Sequence, residues 1–219
     1  MNLHFENFVI ICTCTRDIWT PPSYRSVCNW GWLGVVRQCE GQMKICDTLE
    51  KALEKLVQTR SLSEVKVMDV CRLSGVPRST FYSYFCDIYS VPQWIWDDMM
   101  KHTLYKIGDG LTWDEGHRIM FENILQHKPL FGKIYWENDN NSILEYGYRG
   151  GYSAIKCNVA VRKNHQWTEA ELIELDYTIR ALASLTTKWG RDGMVMPVAT
   201  AVRIFSMHVP PFLKELCDK

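Results

Sequence analysis

The chain has 219 residues, 47% of them apolar, and a formal net charge of zero. That length holds a small domain plus a larger one with its own core, and the neutral balance excludes a binder of polyanions that works through overall charge. No run approaches the ~20 apolar residues of a membrane-spanning helix; residues 8–14 are apolar but follow Glu6 rather than a basic segment, so secretion is not expected and the chain is expected to work in the cytoplasm.

Residues 1–42 are rich in Trp, Cys, Pro and Thr and keep no helical period. They are expected to be an atypical extension, disordered or not translated, with synthesis starting at Met43, because some forty residues seldom build a core without staples. Cys12, Cys14, Cys28 and Cys39 crowd this stretch. Reduced thiols are the default reading, with metal binding or pairing in an oxidising compartment as alternatives. The nine cysteines contain no C-x-x-C pair and no Cys/His spacing of the metal-ligand kind, so neither a metal site nor a cofactor is expected. Cys71 and Cys157 read as small hydrophobes.

From Ile45, the positions Leu49, Ala52, Leu53, Leu56 and Val57 form a helical apolar stripe. Residues 65–85, VKVMDVCRLSGVPRSTFYSYF, then spell two short amphipathic helices around a turn. Val67, Val70, Cys71 and Ser74 share one face of the first. Gly75 breaks the pattern, since it takes positive φ without a Cβ clash, and Pro77 suits an early position of the second helix. There Phe81 and Phe85 point to the core, while Arg78, Ser79, Tyr82 and Ser83 share the opposite side, a short polar face of the size that enters a major groove. An ordinary helical hairpin is the bland reading of the same stretch.

The order of residues here resembles the DNA-binding domain of the TetR family of transcriptional regulators. The resemblance covers about fifty residues, including the connector SLSEVKV at 61–67, and rests on Gly75-Val76, Thr80-Phe81-Tyr82 and Phe85. It implies an all-α protein: a three-helix helix-turn-helix domain over 43–90 and a larger helical ligand-binding and dimerisation domain over 91–219. Lys66, Met68 and Ile88 depart from the family pattern, the last standing where a Lys usually makes a phosphate contact. Seven basic and six acidic residues between Met43 and Ser90 leave this domain nearly neutral, so a shallow salt dependence is expected.

Beyond the turn, Pro92 is placed in the first turn of a helix running to about Ile107 and bridging the two domains, with Gly108 and Gly110 ending it. Thr112 with Glu115 is a capping box for a helix over residues 113–126, and Pro129 restarts a shorter one. A polar turn at 138–141 precedes a long helix through Leu144, Tyr148, Tyr152 and Ile155, in which Gly147, Gly150 and Gly151 imply close packing or a break. Thr168 with Glu171 repeats the capping box for a helix that Gly190 is expected to stop, and Pro197 opens the last long helix.

The resemblance assigns roles. Arg78, Ser79 and Ser83 face base edges, Arg78 being the residue suited to guanine. Tyr82 and Tyr84 reach phosphates through their hydroxyls, with core packing as the alternative for each; Thr80 does likewise or caps its helix, and Lys66 is placed for a phosphate. The partners implied are a palindromic double-stranded DNA operator and a second copy, paired through helices at about 169–189 and 197–209. The small residues Ala181, Ala183, Ser184, Ala199 and Ala201 permit that approach, although an intrachain core would use the same pattern. A small-molecule effector is implied for the second domain, with Phe121, Tyr135, Tyr148 and Tyr152 as candidate lining or plain core. Repression is the family habit. The alternative is a TetR-fold sensor or protein-interaction module with weak or no DNA binding. Catalysis is not expected, because His102, His117, His127, His165 and His208 fall in no recognisable catalytic motif.

Overall fold

The computed structural model describes residues 40–134 and 143–218, with side chains from Lys44 onward. The arm before residue 40, the polar turn at 138–141 and Tyr135 lie outside the described residues. Within them the chain is all helical and forms no strand: α1 (Glu40–Val57), α2 (Val67–Ser74), α3 (Arg78–Tyr84), α4 (Ser90–Lys101), α5 (Trp113–Gln126), α6 (Lys128–Ile134), α7 (Ile143–Arg162), α8 (Glu169–Arg191), α9 (Val198–His208) and α10 (Pro211–Asp218), with 3-10 turns at Leu62–Glu64 and Leu104–Lys106.

The first three helices form a head, α1 packing on α2 and α2 on α3. Leu49, Leu53 and Val57 from α1 meet Val70 and Phe81 in its core, all fully buried. Gly75 turns the chain at φ +73°, with its N–H bonded to the Cys71 carbonyl at 3.0 Å. Burying these apolar side chains stabilises by about 1.5–3 kcal/mol each, far more than the intrinsic helicity of two helices of seven and eight residues.

In the body α5 lies along α9 and α7 along α8, while α6 bridges α1 and α8. Both capping boxes form: the Thr112 and Thr168 hydroxyls each accept an N–H at 3.3 Å, from Glu115 and Glu171 respectively, and each Glu carboxylate accepts the threonine N–H in return, at 3.0 and 2.8 Å. These backbone hydrogen bonds hold both glutamates below the usual carboxylate range.

The bridging helix is shorter than its sequence suggests. α4 ends at Lys101 and the chain tightens into the 3-10 turn, because Thr103 turns its hydroxyl back to the Met99 carbonyl at 3.0 Å. Asn158 of α7 then donates to the Tyr105 and Ile107 carbonyls, both at 2.9 Å. Gly190 likewise falls inside α8. The turn is made by Gly193 at φ +76°, closed by the Trp189 indole N–H on the Met196 carbonyl at 2.9 Å. The three glycines of α7 do not break it; they are buried and admit α4 and the 3-10 turn to close contact.

Candidate nucleic-acid interface

α3 presents two chemistries on opposite sides. Phe81 is buried, with the ring of Phe85 at 5.5 Å, and Phe85 meets Trp94 of α4 at 6.3 Å. That apolar ladder fixes the rotation of α3, so Arg78, Ser79, Tyr82 and Ser83 all point to solvent. The Arg78 guanidinium donates to the Tyr82 hydroxyl at 3.4 Å and stands 5.4 Å from its ring centroid. The two thus form one cationic, aromatic edge, and the hydrogen bond raises the Arg78 pKa further. Ser83 donates to the Ser79 carbonyl at 3.1 Å, which leaves its oxygen as an acceptor on the outer face. Thr80 and Tyr84 are half-buried, Tyr84 packing partly on the core. Lys66 is exposed at the N-terminus of α2.

Most acidic groups of the head have partners within the chain. Asp69 accepts the Lys66 N–H at 3.2 Å and pairs with Arg60 at 3.1 Å; Glu64 accepts the Ser61 N–H at 3.0 Å; Asp87 accepts the N–H and hydroxyl of Ser90 at 2.8 Å. Glu50 and Glu54 turn toward His127. The acidic groups are therefore largely engaged within the chain, while Lys66, Arg72 and Arg78 stay exposed.

Two contacts tie the head to the body. α4 places Trp94 against Phe85 and Trp96 6.0 Å from Phe131, and its Asp97 accepts hydrogen bonds from Tyr105, at 2.9 Å, and from Tyr146 of α7. Burial raises the Asp97 pKa against the lowering effect of those hydroxyls. Separately, His127, between α5 and α6, sets Nδ1 3.1 Å from Glu50 and 3.0 Å from Glu54 of α1. Its hydrogen bond with Glu50 and then that with Glu54 raise its pKa against desolvation. The sequence offered no spacing signal for this cluster, since His127 lies 73 residues beyond Glu54.

The body holds a cavity of about 40 Å³ among Trp96, Leu104, His117, Thr186, Thr187 and Phe205. His117 is buried and bonds the Trp113 carbonyl through Nδ1 at 2.7 Å, and burial lowers its pKa to about 4. It is separated from Glu115, which is exposed at its cap, so the two form no acid–base pair. Of the aromatic candidates, Phe121 packs on Trp189 at 4.9 Å and Phe205 at 5.1 Å, behind the cavity. Tyr148 and Tyr152 lie 6.2 Å apart on α7, Tyr148 hydrogen-bonded to Asp176 and stacked under Arg180 at 3.9 Å. They lie outside the cavity lining.

Exposed apolar side chains gather on the outer sides of α8 and α9. Ile173, Tyr177 and Leu185 stand out from α8, Met207 from α9 and Val195 from the turn between them. The small residues divide: Ala201 is buried within the chain and Ala183 lines the cavity, whereas Ser184 and Ala199 are exposed. Among the described residues no helix is long and apolar enough to cross a membrane.

No protein-family model and no curated protein matches the chain. Solved structures do. A TetR transcriptional regulator from Streptococcus agalactiae 2603V superposes with a TM-score of 0.55 at 18% identity, covering 76% of this chain and 94% of its own. The dihydroxyacetone kinase operon activator DhaS gives 0.54 at 14% identity, over 76% and 97%. A protein from Syntrophomonas wolfei str. Goettingen, assigned to the TetR family of transcriptional regulators, gives 0.52 at 15%, over 80% and 95%. With the helix-turn-helix geometry described above, these likenesses show that the chain has the TetR fold.

Proposed function

We propose that the protein is a DNA-binding transcriptional regulator acting in the cytoplasm as a homodimer, with residues 43–90 reading DNA and 91–219 carrying the effector site and dimer interface. The observation that carries this reading is the outward face of α3, where Arg78 and Tyr82 form one edge flanked by Ser79 and Ser83 over a buried Phe81. Arg78 reads a guanine, Ser79 and Ser83 contact neighbouring base edges, and Tyr82, Tyr84, Thr80 and Lys66 bind phosphates. Two heads on a twofold axis read two half-sites of a palindromic operator. The outer apolar faces of α8 and α9 are the surface that the second copy covers.

The effector is a small molecule entering the cavity beside Trp96 and His117, with Phe121 as its rear wall and Tyr148 and Tyr152 at the adjoining α7–α8 seam. At about 40 Å³ the cavity holds only water-sized occupants, so binding a ligand requires α4 and α7 to part. That movement reaches the head through α4 and lowers operator affinity, as a ligand-responsive repressor requires. One structural neighbour is an operon activator, and the same linkage with the opposite preference gives activation. The body acts by binding rather than by catalysis.

The deciding measurement is fluorescence anisotropy of labelled DNA from upstream of the protein's own gene, titrated with wild type and Tyr82→Ala. Tight binding lost on substitution supports the reading; equal weak binding to this and unrelated DNA overturns it. That second outcome favours a TetR-fold sensor or protein-interaction module, for which the exposed Met68 and Leu73 on α2 and the buried Ile88 in the connector before α4 speak.

A further inference from the structure

We propose that Glu50, Glu54 and His127 form a binding site for a divalent first-row transition cation that joins the head to the body. Glu50 and Glu54 are one turn apart on α1, and His127 comes from the junction of α5 and α6. Each offers one ligand atom, and the three atoms lie within 4.8 Å of one another. Both carboxylates converge on the same imidazole atom, Nδ1, at 3.1 and 3.0 Å. A cation about 2.1 Å from each donor spaces neighbouring octahedral ligands about 3.0 Å apart, so a shared ion fits between them with little side-chain movement.

The chemistry of the donors agrees. Imidazole with two carboxylates is a set for Zn²⁺, Mn²⁺ or Fe²⁺ rather than for the softer thiolate-bound ions. The imidazole is held in place from several directions. Its ring meets that of Phe131 edge-on at 6.3 Å. Its backbone is fixed by a hydrogen bond from its own N–H to the Asn123 carbonyl and by its carbonyl accepting N–H groups from Leu130 and Phe131, both at 3.0 Å. All three side chains are largely shielded, with 16–25% exposure, which leaves room for solvent ligands to complete the shell. Two carboxylates on adjacent turns repel one another, and a doubly charged ion relieves that repulsion for both at once, whereas one imidazolium N–H points well at only one acceptor. The ion would clamp α1 to the junction of α5 and α6, a second head-to-body link beside α4.

The test is titration of the full chain with Mn²⁺, followed by loss of the free-ion paramagnetic resonance signal. Mn²⁺ is chosen because it prefers carboxylate and imidazole to the chain's many thiols. The expected result is saturable binding of one ion per chain, weakened beyond the about 10–100-fold cost of losing a merely supporting group in both His127→Ala and the shape-conserving pair Glu50→Gln/Glu54→Gln. Zn²⁺ should also raise the melting temperature of wild type more than that of either variant. Circular dichroism shows whether the variants fold, and the glutamine pair decides if His127→Ala does not. Equal ion binding by wild type and folded variants, or no saturable binding of Mn²⁺ together with a Zn²⁺ melting shift that ignores His127, overturns the site and leaves the triad as an imidazolium bridge.

Discussion

The hydroxyl of Tyr105 occupies the space of the side chain that Gly150 lacks. A Cβ on Gly150 would collide with it, and the hydroxyl cannot swing clear without abandoning the half-buried Asp97 carboxylate at 2.9 Å. Gly147, one turn earlier, would place its Cβ 2.9 Å from the Trp96 indole. The helix-weakening glycines of α7 are thus the contact face for the helix that carries the head. Gly150→Ala is expected to destabilise by about 1–3 kcal/mol, whereas Gly132→Ala in α6, which meets nothing within 4 Å, should stabilise by about 0.5–1 kcal/mol. Urea denaturation of the two variants beside wild type checks the opposite signs.

Because Arg78 and Tyr82 touch, their contributions to DNA binding should not add. Arg78→Ala is expected to cost about 1–3 kcal/mol of discrimination at one base pair, and Tyr82→Phe to weaken all sequences alike. A double-mutant cycle on the operator should show coupling. Lys66→Ala should lower affinity uniformly and reduce the salt slope by about one. Additive Arg78 and Tyr82 effects would show that the edge separates on DNA.

Stability should fall on acidification because of His117. Its folded-state pKa, about 4, lies below the ordinary 6.5, so the unfolded chain takes up the proton first. Its contribution is intact above pH 6.5, is lost progressively as pH falls toward 4 and has no further slope below that, about 3 kcal/mol in all. His117→Leu should flatten the dependence between these limits. Unfolding free energies measured across that range, with an unchanged slope in the variant, would assign the acid sensitivity elsewhere.

Asn158 is a clamp on two backbone carbonyls that α4 would have used had it continued. Asn158→Ala removes both hydrogen bonds and should cost about 1–3 kcal/mol. Hydrogen exchange should accelerate in residues 103–108 before any change appears in the head. Uniform acceleration throughout the chain would contradict a local clamp.

The outer sides of α8 and α9 carry the proposed dimer contact. Tyr177→Glu combined with Met207→Glu should give a monomer by sedimentation equilibrium, with the far-ultraviolet helix signal retained, since both side chains are exposed within one chain, at 75% and 71%. A dimer that survives both changes would place the interface on another face.

Local chemistry made much of this protein legible. Apolar spacing located the helices of the head, Gly75 its turn, and the Thr112 and Thr168 boxes the starts of α5 and α8, because each signal acts through neighbours within one or two helical turns. The resemblance carried by residues 75–85 likewise led to the fold, and the outward set on α3 followed from helical geometry. What failed locally failed for a tertiary reason. α4 stops early because Thr103 and Asn158, 55 positions apart in the chain, recruit the carbonyls that would have extended it. The charge of the head could be counted, but its partners could not be named until Arg60 met Asp69 and His127 met Glu50 and Glu54. Residues remote in sequence have no spacing to read, so only the packing of α1 against α6 could bring that imidazole between those two carboxylates.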